Sequence, residues 1–134
     1  MLSLLGTRAQ ISVETLLVFL VFLILLGMAY EATTKLGSAS QQSINAALSR
    51  ESFNELVSKI DQACTLGEGN QRMVSIKGDE ATLTTPAADK KTLHFDTPLF
   101  KQDYDSSCRL TVSKTSPSRV FTVENTDGAN VEIS

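Results

Sequence analysis

The sequence predicts an α+β chain: a long N-terminal α-helix whose apolar half protrudes or is membrane-embedded, and a C-terminal antiparallel β-meander head packed on the other half. Three observations predict it. An apolar block without a charge runs from Leu16 to Tyr30. A polar, helix-favouring stretch follows, with its apolar residues at three- and four-residue steps. After Gly67 the pattern changes to short alternating runs separated by turn residues.

Composition narrows the function before any element is placed. The 134 residues carry 12 Lys and Arg against 15 Asp and Glu, a net charge of minus 3, so no basic field exists to hold nucleic acid phosphates. One His and two Cys are too few for a four-cysteine or two-cysteine, two-histidine zinc site, and single out no catalytic pair. Gly-rich phosphate loops, HExxH and GxSxG are all absent from the sequence. No cofactor is expected, and an enzyme is a poor reading.

The first element spans Ile11 to Tyr30, twenty residues whose only charge is Glu14. At the helical rise these cover about 30 Å, the thickness of a bilayer's hydrocarbon core. A helix apolar on every side cannot be swallowed by so small a globular core, so lipid or other copies of itself must cover it. Arg8 is the flanking positive charge of a plain membrane anchor, and Gly27-Met28-Ala29 offers a passable secretory cleavage site. Neither reading accounts for the stretch Thr7-Arg8-Ala9-Gln10-Ile11-Ser12-Val13-Glu14-Thr15 directly ahead of the block. A local role for it is that Ser12 N-caps the helix and Glu14 sits in its first turn, toward the positive end of the dipole.

The order Gln10, x, Ser12, x, Glu14 followed by an unbroken apolar run resembles the archaeal class III signal peptide of type IV pilin-like proteins. The resemblance covers residues 1 to about 35. It implies that a prepilin peptidase cuts between Ala9 and Gln10, leaving a mature chain of 125 residues with 11 Lys and Arg against 15 Asp and Glu, a net charge of minus 4. It also implies that the Glu14 carboxylate registers an incoming subunit, by meeting a neighbour's N-terminal amine. Leu16, Leu17, Val18, Phe19, Leu20, Val21, Phe22, Leu23, Ile24, Leu25 and Leu26 would then form the apolar filament core. Val18 stands where the family often has Leu.

Four segments follow from this reading: a cleaved leader at 1–9, a membrane or filament-core helix at 10–35, its amphipathic continuation at 36–66 and a β-rich head at 67–134. Ile44, Ala47, Leu48, Phe53, Leu56, Val57, Ile60 and Ala63 trace the stripe that carries the head. Residues 11 to 63 as one helix would run to about 80 Å, with bends expected at Gly27 and Gly37. Strands are expected at Arg72–Lys77, Ala81–Thr85, Thr92–Asp96, Arg109–Lys114, Arg119–Glu124 and Ala129–Ile133. The strongest hairpins are 72–85 and 119–133, with Pro86, Pro98 and Pro117 in loops.

Cys64 and Cys108 both fall where the membrane reading places the chain outside the cell, so a disulfide between them is expected, against the alternative of two buried thiols. His94 reads as a solvated strand residue and Asp103-Tyr104-Asp105 as a solvated turn rather than a calcium loop.

The leading function is that of a filament subunit. It would begin as a single-pass membrane protein and end in an extracellular cell-surface filament. Its partners would be other pilins, the prepilin peptidase, a membrane assembly platform and its ATPase motor. A minor pilin or pilin-like surface adhesion protein, an archaellum subunit, a plain anchor and a Sec-secreted domain are the alternatives.

Overall fold

A computed structural model describes the backbone of residues 3–88 and 90–134, and side chains from residue 13 onward with the exception of Asp89. One α-helix, α1 (Ser3–Leu66), is followed by seven strands: β1 (Gln71–Ser75), β2 (Thr82–Thr84), β3 (Thr92–Thr97), β4 (Phe100–Asp105), β5 (Arg109–Val112), β6 (Val120–Asn125) and β7 (Asn130–Ile133). The α+β class expected from the sequence is what the chain adopts. It divides into two compact units, Met1–Gln41 and Gln42–Ser134, so the second half of α1 belongs with the strands.

Helix α1 holds because proline is absent from it and because its hydroxyl residues bond within it instead of competing with it. Thr33 donates to the Ala29 carbonyl at 2.8 Å, Thr34 to Glu31 at 2.9 Å and Ser38 to Lys35 at 2.9 Å. The helix runs unbroken through Gly27 and Gly37, and neither has a neighbour within 4 Å of a Cβ added there. Helical hydrogen bonding continues through both positions, since a cost of about 1 kcal/mol per glycine is small against so long a ladder. At the C-terminal end Gly67 takes the left-handed conformation, φ 81°, that ends a helix. Its orphan carbonyls find side-chain donors: Asn125 Nδ2 donates to the Ala63 carbonyl at 2.8 Å.

The strands form two sheets rather than one meander. A four-stranded sheet has the order β1-β6-β7-β5, with β5 and β7 parallel, and a three-stranded antiparallel sheet has the order β2-β3-β4. The expected hairpin at 119–133 is present as β6–β7, with Val123 opposite Ile133 and Asn125 opposite Val131. Its turn is closed by Asn125 Oδ1, which accepts from Gly128 N at 2.7 Å, and by Asp127, which accepts from Ala129 N and Asn130 N.

The expected hairpin at 72–85 does not form. β1 pairs instead with β6, Gln71 opposite Glu124 through Ser75 opposite Val120, and β2 pairs with β3. The helix draws the intervening loop away: Lys77 N donates to Ser52 Oγ at 2.7 Å, and Gly78, at φ 88°, lies where a Cβ would be 3.4 Å from the Leu48 Cβ. That positive φ is what favours glycine there. The residues read as a solvated turn, Asp103–Asp105, are the end of strand β4, which pairs with β3 along its whole length.

The core of this second unit joins Phe53, Leu56, Ile60 and Ala63 of α1 to Val74, Leu110, Phe121, Val123, Val131 and Ile133 of the larger sheet and Leu83, Leu93 and Phe95 of the smaller. Phe53, Phe95 and Phe100 meet edge to face at 5.5 to 6.0 Å, a favoured aromatic geometry. The buried helix stripe starts at Ser49 and Ser52, both fully covered, whereas Ile44 and Ala47, expected within it, are exposed. The Ser52 hydroxyl accepts from Lys77 N there. The anticipated disulfide is present: Cys64 and Cys108 are bonded, with Cα atoms 6.0 Å apart, joining the last turns of α1 to the start of β5.

Candidate assembly interface

The candidate site is the apolar stretch of α1. At 3.6 residues per turn, the eleven residues Leu16 to Leu26 cover the full circle of the helix about three times. Each is between 49% and 70% exposed, so no side of this stretch is covered by the chain itself. Isolated exposed leucines need no explanation; a continuous apolar cylinder does. The helix is long and apolar enough to cross a membrane.

Glu14 lies at the N-terminal border of that cylinder and is exposed. Helix α1 starts at Ser3, so Ser12 is interior to it and Glu14 is not in its first turn. The reading of Ser12 as N-cap is therefore corrected for the unprocessed chain. Ala9, Gln10 and Ser12 lie on the helical backbone, while their side chains fall outside the described residues.

In the second unit, the disulfide is edged by Ser106, whose hydroxyl lies 3.7 Å from the Cys64 sulfur and 3.5 Å from that of Cys108. A second tie joins helix and sheet there: the Tyr104 hydroxyl of β4 donates to the Asp61 carboxylate of α1. Partial burial, and then this carboxylate, push the Tyr104 phenol up to about 12. The Lys77 ammonium, bonded to Glu51 at 2.8 Å, is held above its ordinary value by that hydrogen bond and the Glu51 charge. Asp127 is held below the usual carboxylate value by the backbone donors of Ala129 and Asn130.

His94 sits on the solvated face of β3 and meets Asp103 of β4 at 2.5 Å. Among the described residues no three His, Cys, Asp or Glu side chains gather as metal ligands.

Comparison with known protein families, curated proteins and solved structures finds no match. The apolar helix and the disulfide cysteines were legible in the sequence. The Tyr104–Asp61 tie was not, because Tyr104 stood in a presumed turn. The spacing of the two aromatics Phe100 and Tyr104 on one face of β4 was the signal that could have placed Tyr104 on a strand.

Proposed function

We propose that the chain is a structural, non-catalytic subunit of an extracellular type IV pilus-like filament. It is cut before Gln10 and assembles through its apolar helix. The observation that carries this reading is the uncovered cylinder Leu16–Leu26 set directly behind the sequence Gln10-x-Ser12-x-Glu14. Leaving lipid costs little when the next environment is equally apolar, so packing among identical helices turns on close fit and on a partner for Glu14.

Cleavage between Ala9 and Gln10 would also change the place of Glu14 in the helix. It removes the helical residues from Ser3 to Ala9 and leaves Glu14 four positions from the new terminus. One turn from unsatisfied N–H groups and a new ammonium, its carboxylate is then stabilised by the helix dipole and open to a neighbour's amine. Prepilin peptidase, assembly platform and ATPase motor are the partners this reading requires. The second unit, Gln42–Ser134, carries the disulfide, which suits a domain that faces the outside.

The test is the intact mass and N-terminal sequence of protein recovered from cell-surface material, allowing for cyclisation of an N-terminal glutamine. A start at Gln10 is expected. A start at Tyr30 would mark a secreted domain, and retention of Met1 a plain anchor; either would end the filament reading.

A further inference from the structure

The four sheet edges of this fold are not alike. β2 is short, Thr82–Thr84, and β4 carries Lys101, Asp103 and Asp105. β5 is partly covered, since Leu110 N donates to the Lys90 carbonyl at 2.5 Å. Shortness, charge and loop cover are the usual protections of an edge. β1, Gln71-Arg72-Met73-Val74-Ser75, lies at the end of its sheet with Arg72 as its one charged residue.

Its hydrogen-bond phase shows which groups face outward. Ile76 N donates to the Arg119 carbonyl and Asn125 N to the Asn70 carbonyl, so the even-numbered residues address β6. The next amide in the other phase, Lys77 N, points away and finds Ser52 on α1. By the alternation of an antiparallel ladder, the N–H and C=O groups of Gln71, Met73 and Ser75 face away from β6, and no strand among the described residues pairs with them. The Met73 side chain beside them is 72% exposed.

We propose that β1 is an interface with a second copy of this chain, formed by antiparallel pairing of the two β1 edges about Met73. The segment is complementary to itself in that register. Met73 faces Met73, Gln71 faces Ser75 and Arg72 faces the buried Val74, so a thioether meets a thioether, an amide meets a hydroxyl and no like charges oppose each other. The three outward residues form the hydrogen-bonded pairs of the new ladder, each pair exchanging two backbone bonds. The contact is two-fold symmetric and independent of the apolar helix, so it joins chains that need not be neighbours in one helical array.

The full chain, purified and dispersed in detergent, tests this without any need for processing or assembly. Hydrogen-bonded partners lie about 5.5 Å apart at Cα, within disulfide reach. Met73→Cys is therefore expected to form a 73–73 linked dimer roughly tenfold or more faster than Gln102→Cys on the β4 edge, because a preformed contact raises the effective thiol concentration. Met73→Pro removes a donor that only the second copy uses, a change an edge strand tolerates. It should leave the fold intact and abolish the dimer seen by light scattering. Met73→Lys, which sets two cations face to face, should do the same and serves where the proline variant fails to fold. Equal cross-linking at positions 73 and 102, or a dimer that survives both Met73→Pro and Met73→Lys as association through the helix would, overturns the proposal.

Discussion

At the scale of single residues, the polar side chains that matter in this fold are those that end the helix or tie it down. Asn125 is fully buried and serves two elements at once, donating to the carbonyl of Ala63 and accepting from Gly128 N. Tyr104 reaches the helix from the other sheet through Asp61. Its phenol titrates near 10 in the unfolded chain and at about 12 in the folded one, so the folded state holds the proton more tightly. The stability this contributes is present in full below pH 10 and is lost as pH rises toward about 12. Tyr104→Phe is expected to lower stability by about 1 kcal/mol at neutral pH and to flatten this alkaline decline, as read by thermal unfolding across that range. An equally steep decline in the variant would assign it to other groups. The sequence could place Tyr104 on a strand but name neither residue's helix partner, because hydrogen bonds across 62 and 43 positions leave no local pattern.

Among the elements, those whose periodicity reflects burial were legible and those fixed by pairing were not. The apolar helix, its buried residues Phe53, Leu56, Ile60 and Ala63 and the β6–β7 hairpin follow from residue spacing and turn chemistry. The partner of β1 does not: a strand followed by Gly78-Asp79 reads as half a hairpin until the helix claims the loop through Ser52. β4 was hidden because Lys101, Asp103 and Asp105 cover its outer face as a ladder opposite Asp96, His94 and Thr92, and a charged run looks like solvent-exposed turn. The disulfide was inferred from compartment rather than geometry, yet it joins two elements that touch. Cys64→Ser with Cys108→Ser removes a link across 44 positions and is expected to cost about 4 kcal/mol. Thermal unfolding of the variant beside the parent chain measures it, and a change below about 1 kcal/mol would mean that the unfolded state, not the bridge, already restricts this loop.

For the whole molecule, the proposed filament rests on one end of one helix. In that proposal the uncovered cylinder Leu16–Leu26 is the means of association, and Glu14 is the acidic group at its N-terminal border. Glu14→Ala is expected to leave cleavage before Gln10 largely intact and to abolish filaments in sheared surface material viewed by electron microscopy. Normal filaments from this variant would remove the registration role while leaving the processing reading to stand. The site's composition was legible from the sequence because apolarity on every side needs no tertiary context to recognise. Its occupant was not, since lipid and identical helices present the same chemistry to leucine.

The pairing of β1 with β6 brings together residues nearly fifty positions apart, Val74 with Phe121 among them, and such long-range pairings fold slowly. The helix forms within about a microsecond, so Phe53, Leu56 and Ile60 stand ready long before the sheet that covers them. The Cys64–Cys108 bond bypasses part of the chain between these strands. Once closed, it shortens the chain path between Val74 and Phe121 by about half, which by loop-closure entropy lowers the cost of their meeting by about 0.6 kcal/mol. A chain that folds with the bond already closed therefore meets a smaller closure cost for this pairing than a reduced chain does, and its sheet is expected to cover the helix sooner.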